Sequence, residues 1–115
     1  MKIIDLKTAK KMVDHYHTTR KTVIDKTHGI NDTKSVWFDI EAFKTFVSNL
    51  PAEATGVRIH LASHDGTDTH NHTTVVLAGT VNKESSHTDA VSDSSVLTAG
   101  LEPVNSGKNC PPDCY

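Results

Sequence analysis

The chain has 115 residues, of which 36% are hydrophobic and 5% aromatic, and a formal net charge of -2; that is the size of one domain with a modest core. Such a balance lacks the broad basic field of a nucleic-acid binder, and no apolar run approaches the ~20 residues that span a bilayer. Eight histidines are the compositional excess, and the two cysteines lie near the C-terminal end.

Met1-Lys2-Ile3-Ile4 leads directly into charged residues rather than into the apolar stretch of a signal peptide. A soluble cytoplasmic protein is therefore expected, with no disulfide framework holding its fold. From Asp5 to about Ile24, Leu6, Ala9, Val13, Tyr16 and Val23 recur every three or four positions with Met12 beside them, which predicts an amphipathic helix. Asp5 is its N-cap, and Thr27-His28-Gly29 is its stop. Lys2, Lys7, Lys10, Lys11, Arg20 and Lys21 alternate with acidic residues and read as a solvated face. His15 and His17 do not share a helix face and are read as exposed.

Gly29 to Lys34 reads as a polar turn, and Ser35 to Phe38 as a short extended entry to a second helix. With Asp39 as N-cap, Phe38 and Phe43 have the spacing of a hydrophobic staple. Ile40, Phe43, Val47 and Leu50 share a face that Phe46 widens, and Pro51 ends the helix. Val57, Ile59 and Leu61 then alternate with Arg58, His60 and Ala62, and Thr73, Val75 and Leu77 with Thr74, Val76 and Ala78. Alternation of this kind predicts a hairpin whose odd-numbered face packs on the helices. Lys83 to Ser95 reads as a surface loop, and Val96, Leu97, Leu101 and Val104 as a segment able to return to the sheet as a third strand. The expected fold is α+β: two helices on one face of a small antiparallel sheet, then a polar C-terminal region. It forms one domain over residues 1–115, with 105–115 as a tail.

The hairpin connection, His64-Asp65-Gly66-Thr67-Asp68-Thr69-His70-Asn71-His72, is rich in transition-metal ligands. Symmetric pairing, in which partner numbers sum to 136, sets His64 opposite His72, Ala62 opposite Thr74 and His60 opposite Val76. His60, His64 and His72 then form a ladder on the face away from the helices, with His70 within reach. A slip of one residue would dissolve that cluster. Arg58 shares the face beside Ala78, either to bind an anion or to pair with an acidic residue of the C-terminal segment.

The chain closes Cys110-Pro111-Pro112-Asp113-Cys114-Tyr115. Its prolines restrict how the two sulfurs approach each other. Three readings stand open here: a reversible disulfide, a thiolate pair joining a zinc or iron site with the hairpin histidines, and an ordinary tail. Together with Trp37-Phe38, the strand from Gly56 to Ala62 and the strand from Thr73 to Leu77, this ending resembles a group of small bacterial proteins with a terminal Cys-Pro-Pro-x-Cys motif. The resemblance implies an α+β fold and carries no known activity.

Three functions follow in order of expectation. The first is non-enzymatic transition-metal binding through His60, His64, His70 and His72, with Cys110 and Cys114 as further ligands. The second is a protein-interaction or accessory module without metal, contacting a partner or a second copy through the sheet edge or tail. The third is a metal-dependent hydrolase or oxygenase. Neither nucleic acid nor membrane is an expected partner.

Overall fold

Asp5 opens the first helix by accepting the Thr8 N–H at 2.7 Å, which satisfies one of the donors a helix start leaves bare. In the computed structural model, which describes residues 1–64, 71–83, 86–89 and 107–110, α1 spans Leu6–Tyr16. A π-helical turn, His17–Lys21, follows and runs into α2, Thr22–His28. Gly29 then ends this rod in the left-handed region, at φ +65°, where a side chain would be strained.

The π turn sets which residues face inward. It adds one residue to a helical turn, so the position beneath Tyr16 passes from Arg20 to Lys21 and then to Asp25. Carbonyls in and before the wide turn are occupied by threonines: Thr22 Oγ1 donates to the His17 carbonyl at 2.8 Å, and Thr18 Oγ1 to that of Asp14 at 3.1 Å. The expected apolar stripe is not buried. Leu6, Met12, Val13 and Val23 are exposed, whereas Lys21, expected on the solvated face, is 6% exposed. His15 is exposed as expected, and His17 is half-buried.

β1, Ser35–Trp37, leads to α3, Ile40–Ser48. Asp39 caps α3 by accepting the Ala42 N–H at 2.9 Å, and the Phe38 and Phe43 rings meet edge to face with centroids 6.2 Å apart. The expected cap and staple both form. Phe46 is the buried residue of α3, while Ile40 and Val47 are exposed.

β2, Ala54–Ser63, and β3, Thr73–Lys83, pair antiparallel from Ser63↔Thr73 to Gly56↔Thr80, the register in which partners sum to 136. A bulge between Ala54 and Gly56 ends that register. β3 is the middle strand of three. Its other neighbour is β4, Ser86–Asp89, in a stretch expected to be loop. The expected return of residues 96–104 lies outside the described residues. A separate two-stranded ladder joins β1 to β5, Lys108–Cys110, so part of the expected tail is a strand.

The odd-numbered face of the hairpin, expected to pack on the helices, is only partly covered: Val57, Ile59 and Leu61 are exposed. A Cβ built at Gly79 would lie 2.5 Å from Leu50 Cδ2, so the chain after α3 rests on bare backbone there. Leu77 and Ala78 are buried on the middle strand, and Phe46 and Cys110 complete the buried apolar set among the described residues. The molecule is a small α+β fold, and no helix among the described residues is long and apolar enough to cross a membrane.

Candidate functional site

A buried polar hub ties the first helix to the hairpin. Asp32 is 0% exposed in the turn after α2. Its Oδ1 accepts the Thr73 N–H at 2.7 Å and its Oδ2 the Thr73 hydroxyl at 2.6 Å, across 41 positions of sequence. Asp32 donates its own N–H to Asp25 Oδ1 at 2.6 Å. The Lys21 ammonium reaches Asp25 Oδ2 at 2.5 Å and Asn31 Oδ1 at 2.7 Å. Removing such charges from water is unfavourable unless they are paired or hydrogen-bonded: Lys21 and Asp25 pair with each other, and Asp32 accepts from Thr73. The Gly29–Lys34 turn is therefore not a solvated connector but the centre of the structure's polar network.

The hub also sets local electrostatics. Burial tends to raise the Asp25 carboxyl, but the Lys21 hydrogen bond, the Asp32 N–H and the charges of Lys21 and His72 together hold it below the ordinary carboxylate value. Tyr16 is shifted the other way: burial first, then the negative charges of Asp32 and Asp25, push its phenol up. Near neutral pH Tyr16 is therefore a neutral hydroxyl.

Beside the hub lies a half-open cavity of about 460 Å³. Tyr16, Thr33 and Lys34 border it at the hub end, and Val36, Phe38 and Phe43 form one wall. Ile59, Leu61, Val75 and Leu77, from the odd-numbered sheet face, form the other. Ile59 is 59% exposed and Leu61 86% exposed, although both sit on the face expected to be core. Thr33 is buried, and its hydroxyl has no hydrogen-bond partner among the described residues. A buried hydroxyl without a partner forfeits the hydrogen bonds it would make in water, so it is an unusual feature of a folded chain.

β5 fastens the cavity wall from behind. Lys34 N–H donates to the Cys110 carbonyl, and Asn109 Nδ2 donates to the Thr73 carbonyl at 3.2 Å. Lys108 lies 5.3 Å from the centre of the Trp37 ring, its ladder partner. Gly107 has no room for a Cβ, which would run into Val36 and the Phe38 ring.

Of the predicted metal ligands, His60, His64, His72 and Cys110 are among the described residues. His64 and His72 are cross-strand neighbours, with the His64 N–H donating to the His72 carbonyl at 3.0 Å. His60 stands opposite Val76, as the register requires. The His72 ring, however, places Nε2 3.1 Å from the Asn31 carbonyl. A carbonyl only accepts, so that nitrogen carries the hydrogen and Nδ1 alone retains a lone pair when the ring is neutral. Cys110 is disulfide-bonded, and in that state its sulfur is not a thiolate ligand. His70 and Cys114 lie outside the described residues. Among the described residues, no three His, Cys, Asp or Glu side chains gather in a way that would hold a metal ion. Arg58 faces Ala78 across the ladder, and neither it nor His60 is without a partner.

The hub and cavity were missed from sequence because Asp32 and Thr33 sit in a polar hexapeptide whose composition matches any surface turn. The run of Thr18, Thr19 and Thr22 within a helix is the one local sign of the wide turn that buries Lys21. Comparison with known protein families, curated proteins and solved structures finds no match.

Proposed function

We propose that this chain is a binding module whose working surface is the cavity between β1 and the hairpin, and that it takes a small apolar molecule there. The observation that carries this is the inverted burial of the site. Charged Lys21 and Asp32 are enclosed, while Ile59 and Leu61 stand open to water beside a cavity walled by further apolar side chains. Its volume of about 460 Å³ falls within the ~300–1,000 Å³ of small-molecule sites. Covering an exposed leucine or isoleucine contributes roughly 1.5–3 kcal/mol each, which is the driving force such a ligand would collect. Isothermal titration with 1-octanol tests the reading. Saturable binding that is lost in Leu61→Asp is expected; wild-type protein that takes up no octanol contradicts it.

A narrower observation favours a second reading, transition-metal binding at the hairpin mouth. His64 and His72 are direct cross-strand partners there, next to the histidine- and aspartate-bearing connection. Elemental analysis of tag-free protein is its test. Near-stoichiometric zinc, iron, copper or nickel that disappears in the His64→Ala, His72→Ala double variant supports it, and metal-free protein ends it.

A further inference from the structure

We infer that the ligand of this cavity is an uncharged apolar molecule carrying one hydrogen-bonding oxygen, such as an alcohol, ketone or ester, and that the Thr33 hydroxyl receives that oxygen. The inference rests on the cavity being a binding site and adds the chemistry of what enters it.

Two independent features converge on this class. The first is Thr33 itself. It lies on the cavity wall, is 4% exposed, and has an Oγ1 with no partner among the described residues. The other threonine hydroxyls at the site are already engaged, Thr73 by Asp32 and Thr74 by Asn109 at 3.4 Å. Thr33 is thus the buried hydroxyl left available, and a hydroxyl both donates and accepts. A purely hydrocarbon ligand would leave it unsatisfied, so the site favours a molecule with one polar atom at its hub end.

The second feature is charge. The charged groups behind this end are the enclosed Lys21 and Asp32 and the partly exposed Asp25, whose carboxylate form the charge of His72 also favours. Both Asp32 oxygens accept from Thr73, and no ion pair to Asp32 is formed among the described residues. Tyr16, on the cavity border, has its phenol pushed up by burial first and by the negative charges of Asp32 and Asp25 second. A carboxylate brought to Thr33 would meet the same negative charge and lose its own hydration. Lys34, at the rim, is exposed and sits in water, where its attraction is screened. A cationic head would be drawn to the hub but would leave an apolar wall and a neutral hydroxyl as its immediate surroundings. The uncharged oxygen fits both features.

The experiment compares 1-octanol with octanoate at neutral pH by isothermal titration, on the wild-type chain and on Thr33→Val. Octanol is expected to bind at least tenfold more tightly than octanoate. Thr33→Val, which replaces the hydroxyl with a methyl of the same shape, is expected to weaken octanol about 3- to 10-fold, the worth of one neutral hydrogen bond. Octanoate binding as tightly as octanol, or octanol binding unchanged in Thr33→Val, overturns the inference while leaving the cavity a binding site. Failure of both ligands in wild-type protein overturns the binding reading instead. Should Thr33→Val not fold, the octanol-to-octanoate ratio decides alone, with parity contradicting the inference.

Discussion

The hub around Asp32 and the cavity wall around Leu61 adjoin each other and obey opposite rules. In the hub, Lys21 and Asp32 are drawn out of water and Asp25 partly so, and each finds donors or acceptors within 2.5–2.7 Å. On the wall, isoleucine and leucine remain in water with no described neighbour covering them. The contrast teaches that hydrophobicity alone does not sort this chain into inside and outside. A polar group goes inside when its hydrogen bonds are complete, and an apolar group stays outside where it borders a space for something else.

The contrast can be broken most forcefully at Asp32. Asp32→Ala leaves the Thr73 N–H and hydroxyl without their acceptor and unties the hairpin from the first helix. A loss of about 3–5 kcal/mol in urea unfolding is expected, and a loss below about 1 kcal/mol would show that the hub does not hold the fold. Lys21→Met keeps the stem but removes the ammonium. Because Asp25 is partly open to solvent, with 29% of its side chain exposed, the expected cost is smaller, about 1–3 kcal/mol.

Acid should act at the same place. The folded-state carboxyl of Asp25 lies below its ordinary value, with burial opposing and the Lys21 hydrogen bond favouring the charged form. Its contribution to stability is therefore complete above about pH 3.9 and is lost as pH falls through the folded value. Urea midpoints measured from neutral to acidic pH should show a decline that is shallower in Asp25→Asn. Equal slopes in the two proteins would remove Asp25 from the account.

Smaller effects sharpen the wall side of the comparison. Thr33→Val removes a buried hydroxyl that bonds nothing among the described residues, so stability should hold or rise by up to about 1 kcal/mol; a clear loss would reveal a partner for that oxygen in the free protein. Leu61→Asp should change stability by no more than about 0.5 kcal/mol, since the side chain is already 86% exposed. A loss of several kcal/mol would mean that Leu61 is covered in solution, and the open wall would disappear with it.

What sequence reading recovers here is the local grammar. The caps at Asp5 and Asp39, the left-handed stop at Gly29 and the Phe38–Phe43 staple each depend on residues a few positions apart, and each is present. The hairpin register is legible for a related reason: alternation on two strands permits few ways of matching their apolar faces. The rest depends on events that such patterns do not carry. One inserted residue in the π turn rotates Lys21 inward and Val23 outward, which ordinary helical spacing cannot anticipate. The β1–β5 ladder joins two three-residue segments more than 70 positions apart, too short for periodicity to register. Asp32 is distinguished from any other turn aspartate only by Thr73, which reaches it through the folded hairpin.

Amide chemical-shift mapping of the wild-type chain during titration with 1-octanol addresses the cavity most directly. The expected result is saturating shifts concentrated at Thr33, Val36, Leu61 and Val75, with the exposed face of α1 unmoved. Shifts scattered over the surface without saturation, or none at the cavity wall, would contradict the claim that the open apolar face beside the hub is a binding site.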